Sequence, residues 1–427
     1  AGLAAATRLK RAGLAVRILE KDRDAGGTAR SDTRAGYTFD RGIHGLYSSD
    51  TEVIAELSSS SRSEVIRFPL NIADYWHGYK GPHPAQSALS CYPEAVSIVI
   101  ADEMLGRLNI TQAAQDRDDE THRTGTYEDW CLYHFGPTFS AEFLFPYARK
   151  FWTVEPHELT TDWTGKRVPI PTREQLLAVH EGPVVPYEHY VREVLYPQSG
   201  GFGSFFFGLA NELRIDYACP SATVMPERRQ VATALGELIS YDALVSTIPL
   251  PSLVRQLTPS PTFVSDAANG LLATAGAFVN IGVSRLDLLD EHWLYVYDAD
   301  IPFARVSSPS RWAHENAPDG AGSLQAEVYY RGRPPNAAEL TSSCIAALRR
   351  MRILREADAI LYCDVVFQPV ATVIYDHRRN KAVDVLRRYC EDNGIHLAGR
   401  YSRWDHSLVD ASMRQGWEAA DAVLQAP

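Results

Sequence analysis

The first residue placed to do chemistry is an acid directly after a short apolar run. Ala15-Val16-Arg17-Ile18-Leu19 reads as a strand, and Glu20 stands at its tip. In a dinucleotide-binding βαβ unit such a carboxylate accepts hydrogen bonds from ribose hydroxyls. Gly26-Gly27 follows, then Arg30. Paired glycines let the backbone approach a pyrophosphate, and a guanidinium offsets its charge. Gly42-Ile43-His44-Gly45 sets an imidazole in a glycine-flanked turn just after Phe39-Asp40. Trp163-x-Gly165-x-Arg167 and Phe303-x-Arg305 offer two guanidiniums suited to two-point contact with phosphate oxygens. Plainer readings stand beside these. His44 would then be a turn histidine bonded to backbone, the two arginines would be surface ion-pair partners, and Trp152 and Trp163 would pack in a core.

These residues need elements to position them. Leu3, Ala6, Leu9 and Ala12 share one face of a helix over Ala1 to Ala12, with basic residues mostly opposite and Gly13 as its stop. Helix, glycine, strand and acid form the second half of a βαβ unit. Gly2 then falls where the third glycine of a G-x-G-x-x-G fingerprint is expected, while the first two glycines and the first strand do not appear in the sequence. Later segments read as a helix over Ser204–Leu213, a buried strand within Tyr241–Pro249, and strands at Ala277–Val283, Trp293–Tyr297, Ala304–Ser308 and Leu324–Tyr329. A final helix runs over Ala411–Leu424.

Composition narrows the function classes. The chain has 427 residues, 45% hydrophobic and 22% charged, which is globular and allows two or three domains. A net charge of −11 argues against a non-specific nucleic-acid binder. No apolar stretch approaches the roughly 20 residues of a membrane span. The six cysteines form no CxxC pair, and no metal-ligand spacing appears, so no metal is expected. No basic region and apolar core precede a cleavage site, so a cytoplasmic location is expected.

The acid at the strand tip, the Gly-Gly-x-x-Arg turn and the Phe-Asp-x-Gly run together resemble the flavoproteins that include amine oxidases, protoporphyrinogen oxidases, phytoene desaturases and UDP-galactopyranose mutases. Further stretches resemble the mutase branch. They are His83-Pro84-Ala85-Gln86-Ser87, Tyr147 through Trp152, Asp162 through Val168, Tyr196 through Gly203, Phe303 through Val306, and Gly399-Arg400 leading to Asp410. The resemblance touches nearly the whole chain. It implies non-covalent FAD contacted by Gly2, Glu20, Gly26, Gly27, Arg30, Gly42, Val224, Gly399, Arg400 and Asp410. It implies His44 over the flavin ring, and Arg167 and Arg305 as catalytic clamps on a diphosphate from opposite walls of one cleft. Gln86, Trp152, Trp163, Tyr297 and His406 become substrate contacts. Departures fall on the substrate side: Ile43 replaces a glycine, Val370 and His406 replace tyrosines, and Ala411 replaces a polar residue.

The implied architecture is an α/β, Rossmann-like FAD-binding domain from residues 1–49, 196–260 and 360–427. A mixed α+β substrate domain comes from 50–195 and 261–359, with helix-rich sequence between about 50 and 190 as the cap. The resemblance implies either hydride removal from a C–N or C–C bond, or attack by reduced flavin on an anomeric carbon with departure of a diphosphate. A catalytically silent binding protein is a third reading. The expected partner is a small anionic molecule, with homo-oligomer assembly left open.

Overall fold

The computed structural model of the protein describes residues 1–115, 125–181 and 193–426. The first helix spans Gly2–Arg11 and buries Ala4, Ala5, Ala6 and Leu9, while Lys10 and Arg11 stay exposed. It packs against the long C-terminal helix Val409–Gln425, joining the two ends of the chain. The strand after it is shorter than the apolar run suggests. Only Ile18–Leu19 ladder, in parallel, with Ile215–Asp216. A second parallel pair joins Leu244–Ser246 to Ile395–Leu397. Parallel pairs require crossovers, and here partners lie far apart in sequence, so the dinucleotide layer is assembled from distant segments. A three-stranded meander over 221–240 flanks it. The helix expected over Ser204–Leu213 is a 3-10 turn, Phe202–Phe206, followed by a short helix, Phe207–Asn211.

The second layer is a seven-stranded sheet. Its order is Ile360–Val373, Ala273–Val283, Gly322–Tyr330, Arg305–Ser307, Trp293–Val296, Ile72–Trp76 and Tyr79–Pro82. All neighbours run antiparallel except Trp293–Val296 with Ile72–Trp76. Four of these strands match the sequence expectation within a few residues. The strand Ile360–Val373 does not. It was expected in the dinucleotide domain but pairs along its length with Ala273–Val283, so the division at residue 360 cuts through this sheet. Ile72–Trp76 and Tyr79–Pro82 likewise place strands inside a region read as a helical cap. The helices Glu94–Gln115, Tyr127–Phe139 and Phe145–Phe151 surround an aromatic core of Trp76, Phe135, Phe139, Phe143 and Trp152.

The sheet works by alternation. Successive side chains of a strand point to opposite faces. Ala277, Val279, Ile281 and Val283, with Leu324, Ala326 and Val328, pack with Leu340, Cys344, Ala347 and Leu348 of the helix Ala337–Arg350. The intervening residues Phe278, Gln325, Glu327 and Tyr329 turn toward the dinucleotide layer. Gln325 donates to the Asp40 carbonyl at 2.7 Å, and Phe278 and Tyr329 line the cavity between the layers.

Candidate functional site

The cavity has a volume of about 380 Å³ and runs from the tip of Ile18–Leu19 to the face of the sheet. Gly2, Glu20, Gly26, Gly27, Gly42, His44, Arg305, Gly399, Arg400, His406 and Asp410 all border it, so eleven residues singled out in sequence meet in one space.

At one end Glu20 is pinned by backbone. Its N–H donates to the Asp216 carbonyl at 3.0 Å, and its own carbonyl accepts from Cys219 at 2.9 Å. Side-chain Oε1 accepts from the Asp22 N–H at 2.9 Å. Gly26 and Gly27 follow with φ of +107° and +59°, backbone that other residues adopt only with strain. A Cβ added at Gly27 would meet no protein atom within 4 Å, so the turn leaves room for a ligand close to its backbone.

At the other end His44 is half-buried in its glycine-flanked turn. A carbonyl can only accept, so Nδ1 donates to the Gly42 carbonyl at 3.0 Å. Burial pushes this imidazole below its ordinary pKa, with Asp40 and the Gly42 carbonyl opposing. Beneath it sits Glu327, fully buried. Oε1 of Glu327 accepts from the Ile43 N–H at 2.7 Å, and Oε2 accepts from Arg305 Nε at 2.6 Å and from the Tyr329 hydroxyl at 2.9 Å. Arg305 and Glu327 are direct partners in the strand ladder, which places this ion pair by register alone. Burial works against the charge on Arg305, but Glu327 and neighbouring phenols hold its pKa well above the usual guanidinium value. Sequence reasoning missed Glu327 and Tyr329. The available signal was a carboxylate inside Leu324-Gln-Ala-Glu-Val, since a charge buried in an apolar strand needs a partner.

His406 borders the cavity together with Arg305 and Arg400. Burial and then Arg400, Arg167 and Arg305 drive its pKa well below the ordinary histidine value. Arg167 does not line the cavity itself; its Nη2 donates to the His406 carbonyl at 2.8 Å. Arg305 thus borders the cavity while Arg167 stands at the His406 main chain, so the expected pair on opposite walls of one cleft is not seen. Asp410, at the start of Val409–Gln425, accepts from Ser48 Oγ at 2.8 Å and from the Ala411 N–H at 2.7 Å, and this helix turns its N-terminal residues to the cavity. A helix N-terminus favours negative charge.

Six expected contacts lie elsewhere. Arg30 pairs with Asp22 at 2.7 Å and stands off the cavity. Val224 is buried in a ladder with Val231, and its carbonyl accepts from Thr258 at 2.9 Å. Gln86 donates to the Pro169 carbonyl at 2.9 Å, and Tyr297 donates to Asp74 at 3.3 Å. Trp152 and Trp163 pack on each other with ring centroids 4.7 Å apart, in the aromatic core. Their burial follows from the surrounding helices and sheet, which no local motif reveals.

The parallel pairs, the glycine turn and the cavity beneath the mixed sheet are the features of a dinucleotide-cofactor protein. The chain belongs to the flavin-containing amine oxidoreductase family, whose sequence pattern matches residues 1–424. Its fold is similar to that of a reduced UDP-galactopyranose mutase, with a TM-score of 0.91 at 23% identity over 99% of this chain and 93% of that chain. It is also similar to a protein from Exiguobacterium sp. 255-15 described as a protoporphyrinogen oxidase, with a TM-score of 0.73 at 15% identity over 99% and 96% of the two chains. Putrescine oxidase bound to putrescine gives 0.66 at 16% identity over 99% and 96%. None of the curated proteins matches the sequence. Among the described residues no helix is long and apolar enough to cross a membrane.

The protein is thus a flavoenzyme, and its cofactor is FAD. The residues present fit that group. Arg400 Nε is buried without a partner beside the cavity, and the glycine turn leaves its backbone open. Gly26, Gly27 and Arg400 are available to its pyrophosphate and Glu20 to its ribose. Replacing Glu20 by Ala is expected to weaken FAD by about 1.5–3 kcal/mol, tenfold or more, the scale of hydrogen bonds to a charged group. Flavin fluorescence on titrating apoprotein with FAD measures this, and equal affinity would remove Glu20 from the cofactor site.

Proposed function

We propose that the protein acts on a small anionic substrate, of sugar-nucleotide or related natural-product type, held against the flavin by Arg305 and His406, with Arg167 behind His406. The observation that carries this is that His406, with Nδ1 unpartnered, shares the cavity wall with Arg305 and Arg400 while Arg167 holds its carbonyl. Glu327 is paired with Arg305, and Arg400 Nε lies beside the cavity without a hydrogen-bond partner among the described residues, which favours an incoming negative charge. The similarity to a UDP-galactopyranose mutase supports the same reading. Bound flavin supplies the redox or nucleophilic chemistry. The chain's own residues bind and orient. Arg305, anchored by Glu327 and Tyr329, presents its guanidinium at a fixed angle, while His44 stays neutral through burial and holds the Gly42 carbonyl. A cytoplasmic location fits the six unpaired thiols.

UDP-galactopyranose itself is expected to be a poor substrate. Val370 and His406 stand where the resembled mutases carry phenols, and each hydrogen bond lost to a charged group costs about 1.5–3 kcal/mol. The test is turnover by the dithionite-reduced enzyme. Efficient conversion would show that these substitutions do not alter the substrate. The matched family favours a second reading, oxidation of a C–N or C–C bond, for which oxygen consumption without prior reduction is the distinguishing result.

A further inference from the structure

We propose that His406 is the charge-compensating residue of this cavity. Its imidazole takes up a proton when an anionic substrate group is seated among Arg167, Arg305 and Arg400, and then donates a hydrogen bond to that group. The inference rests on the anionic-substrate reading and deepens it.

The geometry is that of a ring held in place with its nitrogens left unbonded. The His406 N–H donates to the Tyr375 hydroxyl at 2.9 Å, and the His406 carbonyl accepts from Arg167. The ring stands edge-on to Trp152 at 5.5 Å. Main chain and wall are therefore fixed. Nδ1 is enclosed and has no partner, and Nε2 makes no hydrogen bond among the described residues, although the residue borders the cavity. A buried polar group without a partner needs a reason, and a ligand supplies one here.

The surrounding charges say which ligand. Arg167 approaches from the turn Gly165–Arg167, Arg400 from the segment after Ile395–Leu397, and Arg305 from its strand with Glu327 behind it. The Tyr375 phenol faces the backbone of His406. On its own segment Asp405 accepts from Ser407 and Gln415, and Asp410 from Ser48 and Ala411, and neither makes a hydrogen bond to the His406 ring. With no anion present, burial and three cations keep the imidazole neutral. An anion among those cations cancels their repulsion and favours the imidazolium. Protonation is then stronger in the complex than in the free enzyme. The added affinity is present at low pH and is lost as pH rises through the value His406 takes in the complex.

The experiment is titration of the full FAD-loaded chain with UDP-glucose, whose diphosphate diester keeps a constant charge between about pH 5 and pH 8, where histidines titrate. Affinity should fall as pH rises, by up to about tenfold per unit, the limit for one linked proton. Calorimetry in two buffers of different ionisation heat should show net proton uptake of up to about one per nucleotide bound. His406→Gln should still bind, with neither slope nor uptake, while His157→Gln, at an exposed position off the cavity, should keep both. A redox titration without nucleotide separates the alternative source of negative charge, the reduced flavin ring. Equal pH slopes of midpoint potential in wild type and His406→Gln support the substrate as the source. A steeper wild-type slope with no uptake on nucleotide binding overturns it. Zero uptake in the wild type, a measurement needing no variant, also overturns the proposal, as does uptake that survives in His406→Gln. Failure of the underlying reading looks different: UDP-glucose would then not bind at any pH, or would bind equally to wild type and Arg167→Ala.

Discussion

Glu327→Ala is expected to destabilise the folded protein by about 3–5 kcal/mol, the usual cost of leaving one partner of a buried ion pair uncompensated. Glu327 is completely buried, and it alone accepts from Arg305 Nε, the Tyr329 hydroxyl and the Ile43 N–H. Its loss strands a guanidinium that is only 19% exposed and frees the Gly42–His44 turn beside the cavity. Glu327→Gln retains an acceptor without the charge and should lose less. Urea denaturation of the FAD-loaded protein measures both, and flavin content should fall along with stability. A Glu327→Ala variant as stable as the wild type would mean that Arg305 is better solvated than the ladder geometry implies.

Trp152→Ala should cost about 3–5 kcal/mol as well, this time through a cavity in packed aromatic surface. Trp152 is 2% exposed and packs edge-on to Phe151 at 5.1 Å and against Trp163 at 4.7 Å. Sequence motifs suggest a substrate contact, but the ring stands behind His406 and does not border the cavity. The two roles separate in Trp152→Phe. A packing residue keeps nucleotide affinity and loses part of its stability, whereas a substrate contact loses affinity at nearly unchanged stability. Denaturation and nucleotide titration of the same variant decide between them.

What the sequence made legible was mostly local chemistry. Gly26 and Gly27 need positive φ, Glu20 terminates a strand, and Gly399-Arg400 turns the chain into the last helix. Each is set by residues within one turn, and each reached the cavity. Arg167 and Arg305 were legible through their motifs, although only the fold brings them to His406. The misses share a different cause. Gln86, Trp152, Trp163 and Tyr297 differ from cavity residues only in what packs over them, and Arg30 differs only in finding Asp22 first. Ile360–Val373 was passed over as a strand of the second layer. It contains Pro369, which central strands exclude, and it lies at the sheet edge, where proline is tolerated. Glu327 looked like any acid until the ladder set it opposite Arg305.

On the proposed reading this cavity holds an anion through Arg305 and His406, with Arg167 fixing the His406 main chain from behind. This is tested most directly by binding UDP and uridine to the FAD-loaded protein and its Arg167→Ala and Arg167→Lys variants. The account predicts that UDP binds more tightly than uridine. It predicts that Arg167→Ala weakens UDP by about 1.5–3 kcal/mol while leaving uridine and the flavin spectrum unchanged. Arg167→Lys should recover only part of the loss, since an ammonium keeps the charge without the guanidinium's fixed hold on the His406 carbonyl. Equal affinity for UDP and uridine, or UDP binding indifferent to Arg167, would contradict it.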